Sequence, residues 1–202
     1  MRDNGRAGRD GRAGKVPART GGGADPREDD PEARARQICL RLLTHAPQTR
    51  AQLADALSRR SIPGEIAASV LERFTDVGLI DDAAFARAWV ESRHYSRGLA
   101  GRMLSAELKR RGVADDEIRE AVAGLGPEAE VATARELVAR KLAATRGQPA
   151  PARVRRLTGM LARKGYPPGL AFRVIREAMG TEGTDADIGE EPSFDEAYLD
   201  TE

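Results

Sequence analysis

Leu57-Ser-Arg-Arg-Ser-Ile62, Leu108-Lys-Arg-Arg-Gly-Val113 and Leu161-Ala-Arg-Lys-Gly-Tyr166 are three versions of one phrase. Their leucines stand 51 and then 53 residues apart. Each version runs from a leucine through two adjacent cations to a small residue and an apolar one. That is the composition of a helix end: an apolar anchor, cations matched to the negative pole of the helix, and a residue suited to the left-handed turn beyond it. Recurrence at intervals of about 50 residues predicts a tandem array of helical units. Arrays of this kind present extended surfaces to partners and seldom build catalytic pockets.

Working outward from the phrase, each unit divides into three helical stretches. In the first, Ala35, Ile38, Cys39, Leu42 and Leu43 follow the i, i+3, i+4, i+7 spacing of an amphipathic helix, and Pro47 ends it. Thr49 and Gln52 form a capping box ahead of Leu53 and Leu57. Pro63 suits the first turn of a third helix striped by Ala67, Val70, Leu71 and Phe74, with Gly78 as its stop. The second unit opens on Asp81-Asp82 as N-cap, with Phe85, Ala86, Trp89 and Val90 as core positions and Tyr95–Gly98 as a loop. Leu104 and Leu108 mark its second helix. Asp115-Asp116 restart the chain before Ile118, Ala121, Val122 and Leu125. The third unit carries Ala134, Leu137, Val138 and Leu142, a Gly/Pro-rich link over 147–151, then Val154, Leu157 and Leu161, and finally Ala171, Val174, Ile175 and Ala178. No stretch sustains a strand alternation. The expectation is all-α: an elongated array of three three-helix repeats at 31–80, 81–126 and 127–180, between disordered tails. Repeats this small bury little core alone, so neighbours should pack on each other.

The net charge of +1 conceals a strong polarity. Residues 1–30 hold seven glycines and no Leu, Ile or Phe, too little to bury, and read as a disordered Gly/Arg-rich tail. Residues 31–180 hold 26 basic and 17 acidic side chains, net +9, and 127–180 alone reach +7. Residues 181–202 carry nine acids and no Lys or Arg, and read as a second disordered tail. A basic body between such tails suits a polyanion or an acidic protein surface.

Several classes of chemistry are absent. The lone cysteine, Cys39, has no disulfide partner and lies on an apolar stripe, as a small buried hydrophobe would. His45 and His94 sit in different units, as helix-end or surface residues, and no Cys/His cluster has metal spacing. No phosphate-binding glycine motif, membrane-length apolar run or signal peptide occurs. The adjacent aspartates are explained as helix starts. These absences point to a cytoplasmic protein that is no enzyme and needs no cofactor or metal. The paired cations Arg59-Arg60, Arg110-Arg111 and Arg163-Lys164 admit a second reading, since helix-dipole complementation alone would place cations there, at roughly 0.3–1 kcal/mol each. Arg153, Arg155 and Arg156 fall at a helix start, where the dipole disfavours cations, and are the sharper candidates for gripping phosphate or carboxylate. A helix-turn-helix DNA reader is the rival architecture, but it needs a polar recognition helix, and the third helix of each unit is strongly apolar on one face.

The stretch Gly78-Leu-Ile-Asp-Asp-Ala-Ala-Phe-Ala-Arg-Ala-Trp-Val-Glu-Ser-Arg93, with Arg97-Gly98, Leu104, Glu107-Leu108 and Arg111-Gly112-Val113, resembles the signature of the RecX family. These are bacterial regulatory proteins that act on the RecA recombinase. The resemblance spans about Ala33 to Met179 and is densest in the second unit. Ser61 departs from it, standing where the family has glycine, and both tails fall outside it. The resemblance implies three tandem three-helix repeats. It implies binding in the groove of the RecA–single-stranded-DNA filament, restraint of extension, ATPase and strand exchange, and a role in recombination, DNA repair and SOS control without catalysis. On that reading the chain is a monomer, and its contact residues are expected among Arg97, Arg102, Arg110, Arg111, Arg153, Arg155, Arg156, Arg163 and Lys164. The alternative is a helical DNA-binding module with no dedicated protein partner.

Overall fold

The computed structural model describes residues 30–181; residues 1–29 and 182–202, and with them the expectations about the tails, lie outside the described residues. Among the described residues there are nine α-helices and no strand. Repeat 1 comprises α1 (Pro31–His45), α2 (Arg50–Ser58) and α3 (Gly64–Asp76). Repeat 2 comprises α4 (Asp82–Arg97), α5 (Gly101–Lys109) and α6 (Asp115–Ala123). Repeat 3 comprises α7 (Pro127–Leu142), α8 (Ala150–Arg163) and α9 (Pro168–Thr181), with a 3-10 turn at Ala143–Thr145.

Local chemistry sets most boundaries. The Asp30 side chain caps α1, and Thr49 and Gln52 make the expected reciprocal capping box on α2. The two adjacent aspartates at 81 and 82 divide their labour: Asp81 Oδ1 caps α4 by accepting from Ala84 N at 2.7 Å, while Asp82 reaches into repeat 1. Asp115 and Asp116 lie in the first turn of α6 without a side-chain capping bond. The loop expected at Tyr95–Gly98 is helix as far as Arg97, and Gly98 turns the chain at φ 61°. Pro63, expected in the first turn of α3, immediately precedes it, and Pro151, expected to end the link, is the second residue of α8.

Each repeat has its own core, and the helix pairs in broad contact all lie within one repeat. Leu57, Leu108 and Leu161 are fully buried, each stabilising its core by roughly 1.5–3 kcal/mol. Cys39 is buried in the first core. After each leucine the backbone closes in one way. Ile62, Val113 and Tyr166 donate their N–H back to Leu57, Leu108 and Leu161, and Ser61, Gly112 and Gly165 take φ of 58°, 76° and 90°. Ser61 is the single non-glycine with positive φ among the described residues.

The repeats join by one device used twice. At each junction, the second helix of one repeat receives the phrase of the next. A Cβ on Gly112 would overlap the Cβ of Ala51 at the start of α2, and one on Gly165 would lie 2.7 Å from the Met103 backbone nitrogen at the start of α5. The carbonyl just before each glycine accepts a bond across the joint: Thr49 Oγ1 donates to Arg111 O, and Ala100 N donates to Lys164 O. A carboxylate on the first helix of the later repeat holds the first N–H of the earlier repeat's second helix, as Asp82 does for Arg50 and Glu130 for Gly101. Burial raises the Asp82 carboxyl above its usual range, opposed by the Arg50 N–H and charge. Among the described residues no helix end of another repeat packs against the phrase of repeat 1. Ser61 is exposed there, and the glycine needed elsewhere for close approach is dispensable.

Candidate functional site

The residues that carry the sequence signature gather into one cluster in repeat 2. Phe85, Trp89, Arg93 and Arg97 follow one another at four-residue spacing, which sets them on one face of α4. Opposite them α5 and the turn after it bring Glu107 and Arg111. Phe85 stacks on Trp89 with centroids 5.7 Å apart. The guanidinium carbons of Arg93 and Arg111 lie over the indole at 4.2 and 3.7 Å from its centroid, each contact contributing about 0.5–2 kcal/mol. Trp89 Nε1 donates to Glu107 Oε2 at 2.9 Å, and the other oxygen of that carboxylate pairs with Arg97 at 3.3 Å. Phe85 and Trp89 were expected as core; they are half-buried and pack on the core's rim. Arg111, expected among the contact residues, lays its guanidinium over the indole. Its Nε is buried without a hydrogen bond, as a stacked guanidinium tolerates.

A second group lies at the joint between repeats 2 and 3. Lys164 Nζ donates to the carbonyl of Arg97, and the buried Tyr166 hydroxyl donates to that of Gly98 at 3.1 Å. These are the orphan carbonyls at the end of α4, so repeat 3 caps a helix of repeat 2. His94 completes the closure. Its Nδ1–H donates to Leu99 O at 2.8 Å, and its Nε2 accepts from Thr133 Oγ1 of α7 at 2.8 Å. His94 was read as a helix-end or surface side chain, whereas it is a half-buried part of the joint. Burial foremost, then the charges of Arg97 and Arg140, hold the Lys164 ammonium below the usual lysine range. Thus two expected contact cations, Arg97 and Lys164, are brought together, and Arg140 joins them. No local signal marks Arg140; it lies in the last turn of α7, as a dipole-matched cation would.

The third group is on α8, and here the expected cluster divides. Arg155 and Arg156 are exposed, but Arg153 is only 5% exposed and its Nε donates to Thr145 Oγ1 at 3.1 Å. Because α8 begins at Ala150, Arg153 closes its first turn, while Arg155 and Arg156 lie just past it. Arg102, Arg110 and Arg163 are exposed. The paired cations of the phrase therefore have a common first member and a variable second. Arg59, Arg110 and Arg163 face solvent in every repeat. The second members differ: Arg60 caps its own helix through Ala56 O, Arg111 covers Trp89, and Lys164 caps α4.

Among the described residues no group of His, Cys, Asp or Glu is arranged to hold a metal ion, and no helix is long and apolar enough to cross a membrane. What the surface offers is exposed guanidinium groups, suited to phosphate or carboxylate.

Family models for the first, second and third three-helix domains of RecX match residues 35–74, 81–122 and 128–175. The Regulatory protein RecX of Thermobifida fusca (strain YX) is 61% identical over 168 residues, 83% of this chain and 90% of that protein. That of Streptomyces lividans is 58% identical over 170 residues, 84% of this chain and 89% of the relative. A crystal structure of RecX from Lactobacillus salivarius shares the fold with a TM-score of 0.69 at 17% identity, over 73% of this chain and 96% of the other.

Proposed function

Because the chain belongs to the RecX family, we propose that it binds the RecA–single-stranded-DNA filament and restrains its extension, ATP hydrolysis and strand exchange. The observation that carries this reading is the repeated helix end. It sets an outward cation, Arg59, Arg110 or Arg163, once per repeat along the chain. A filament is itself a repeated surface, and several weak contacts at matched intervals add into tight binding. Arg155 and Arg156, with Arg163, Arg110, Arg102 and Arg97, would meet phosphates or acidic side chains. Arg111, Arg153 and Lys164 would hold the fold that presents them. The protein would act by occupancy, without catalysis, cofactor or metal, as a cytoplasmic monomer in control of recombination and repair.

The test is RecA's single-stranded-DNA-dependent ATP hydrolysis with substoichiometric amounts of the protein. Inhibition is expected, and none at any ratio refutes the reading. Binding to bare DNA and to filament at matched salt separates it from a DNA-binding module without a protein partner. The filament should be preferred, and equal affinity would favour the module.

A further inference from the structure

Repeat 3 cannot neutralise itself. It holds eleven Lys and Arg but only four acids, Glu128, Glu130, Glu136 and Glu177. Two of the four are already committed: Glu130 holds the Gly101 N–H and Glu177 pairs with Arg135 at 2.9 Å. Arg140, Lys141, Arg155, Arg156, Arg163 and Arg173 are all exposed. The chain continues directly from α9 of this repeat into residues 182–202, which contain nine carboxylates and no Lys or Arg.

We propose that this acidic C-terminal segment docks on the exposed cations of repeat 3, centred on Arg155, Arg156 and Arg163 of α8, and thereby competes with the polyanion those cations would otherwise grip. Length permits it: 21 residues reach at most about 70 Å, and α8 is only about 21 Å long. Attachment does the rest. A segment tethered beside its target acts at an effective concentration of order 1 mM, so a contact with Kd of about 0.1 mM would be some tenfold more often made than broken. Such a contact is salt-sensitive, since exposed charge pairs are screened within about 10 Å at 0.1 M salt. The competition rests on the DNA contact proposed above; the intramolecular contact stands without it.

Two measurements on the full-length chain decide the matter, comparing wild type with a variant in which every carboxylate between 182 and 202 becomes an amide (Asp→Asn, Glu→Gln). The first reads the side-chain Nε–Hε resonances of Arg155, Arg156 and Arg163 by NMR. They should differ between the two proteins at low salt and converge near ~0.5 M. Coincidence at low salt overturns the docking. The second reads affinity for a fluorescent oligothymidylate. The amide variant should bind about tenfold tighter at low salt, with the gap closing as salt rises. Equal affinity overturns the competition. If neither protein binds the oligonucleotide, the direct DNA contact of the previous section falls, and the resonances still decide whether the segment docks.

Discussion

Gly165→Ala tests the joint most sharply. The added Cβ would stand 2.7 Å from the Met103 nitrogen, 2.8 Å from its Cβ and 3.3 Å from its Cα. None of these atoms is the movable end of a side chain, so the clash is relieved only by shifting the start of α5. Left-handed backbone at φ 90° adds a cost of roughly 1–2 kcal/mol for any residue with a Cβ. Overpacking costs about 1–3 kcal/mol, and the stiffer unfolded chain returns about 0.4–1. The net expectation is a loss of about 2–4 kcal/mol, a large part of the roughly 5–15 kcal/mol that holds a domain folded. Urea unfolding followed by circular dichroism reads the total, and hydrogen exchange at Ala100 locates it, because that amide donates to Lys164 O across the joint. Gly112→Ala should behave alike, through Ala51. Ser61→Ala is the control, since the same left-handed position there faces solvent; it should stay within about 0.5 kcal/mol. A Gly165→Ala loss under about 0.5 kcal/mol, or unchanged protection at Ala100, would refute the close-approach account.

Four further outcomes are expected. Arg153→Ala should destabilise by about 1–3 kcal/mol by leaving the buried Thr145 hydroxyl without its donor. The Arg155→Ala/Arg156→Ala pair should keep its urea midpoint but weaken oligonucleotide binding, lowering the log–log salt slope by about 1.4. Trp89→Ala should cost about 2–4 kcal/mol through lost packing and two guanidinium stacks; unchanged stability with abolished filament binding would make Trp89 a contact residue instead. The Tyr166 phenol is held above its ordinary range, by burial first and then by Glu130. The unfolded chain therefore loses this proton first, and stability should be full below about pH 10 and fall above it. The lowered Lys164 acts oppositely, adding stability as pH rises toward the ordinary lysine value. Tyr166→Phe should abolish the alkaline fall and cost about 1–3 kcal/mol near neutrality, as the Gly98 carbonyl loses its donor. Urea midpoints across the alkaline range check both.

The helices, their grouping in threes and the left-handed turn after each phrase were legible in the sequence, because they rest on local chemistry. Apolar spacing chooses the buried face, caps satisfy the first amides, and a glycine ends the turn, all within a few residues of chain. Even Ser61 could be seen as the odd member. Why it is tolerated was not legible, because the reason is tertiary: Ser61 is exposed, and among the described residues no second repeat packs against it. The cations show the same boundary. Arg60, Arg111 and Lys164 occupy one position of one repeated phrase. Only the fold sends the first to its own helix end, the second onto an indole and the third to a neighbouring repeat. Arg153 and Arg155, two residues apart on α8, part ways because a helix turns about 200° in two residues, carrying one inward to Thr145 and the other to solvent. Sequence alone determined where this chain coils, turns and carries charge. Which charges are spent inside the molecule and which remain for a partner was decided by tertiary contacts, since a side-chain cation's fate depends on what lies within a few ångströms of it: for Arg111 the indole of Trp89, 22 positions away, and for Lys164 the carbonyl of Arg97, 67 positions away.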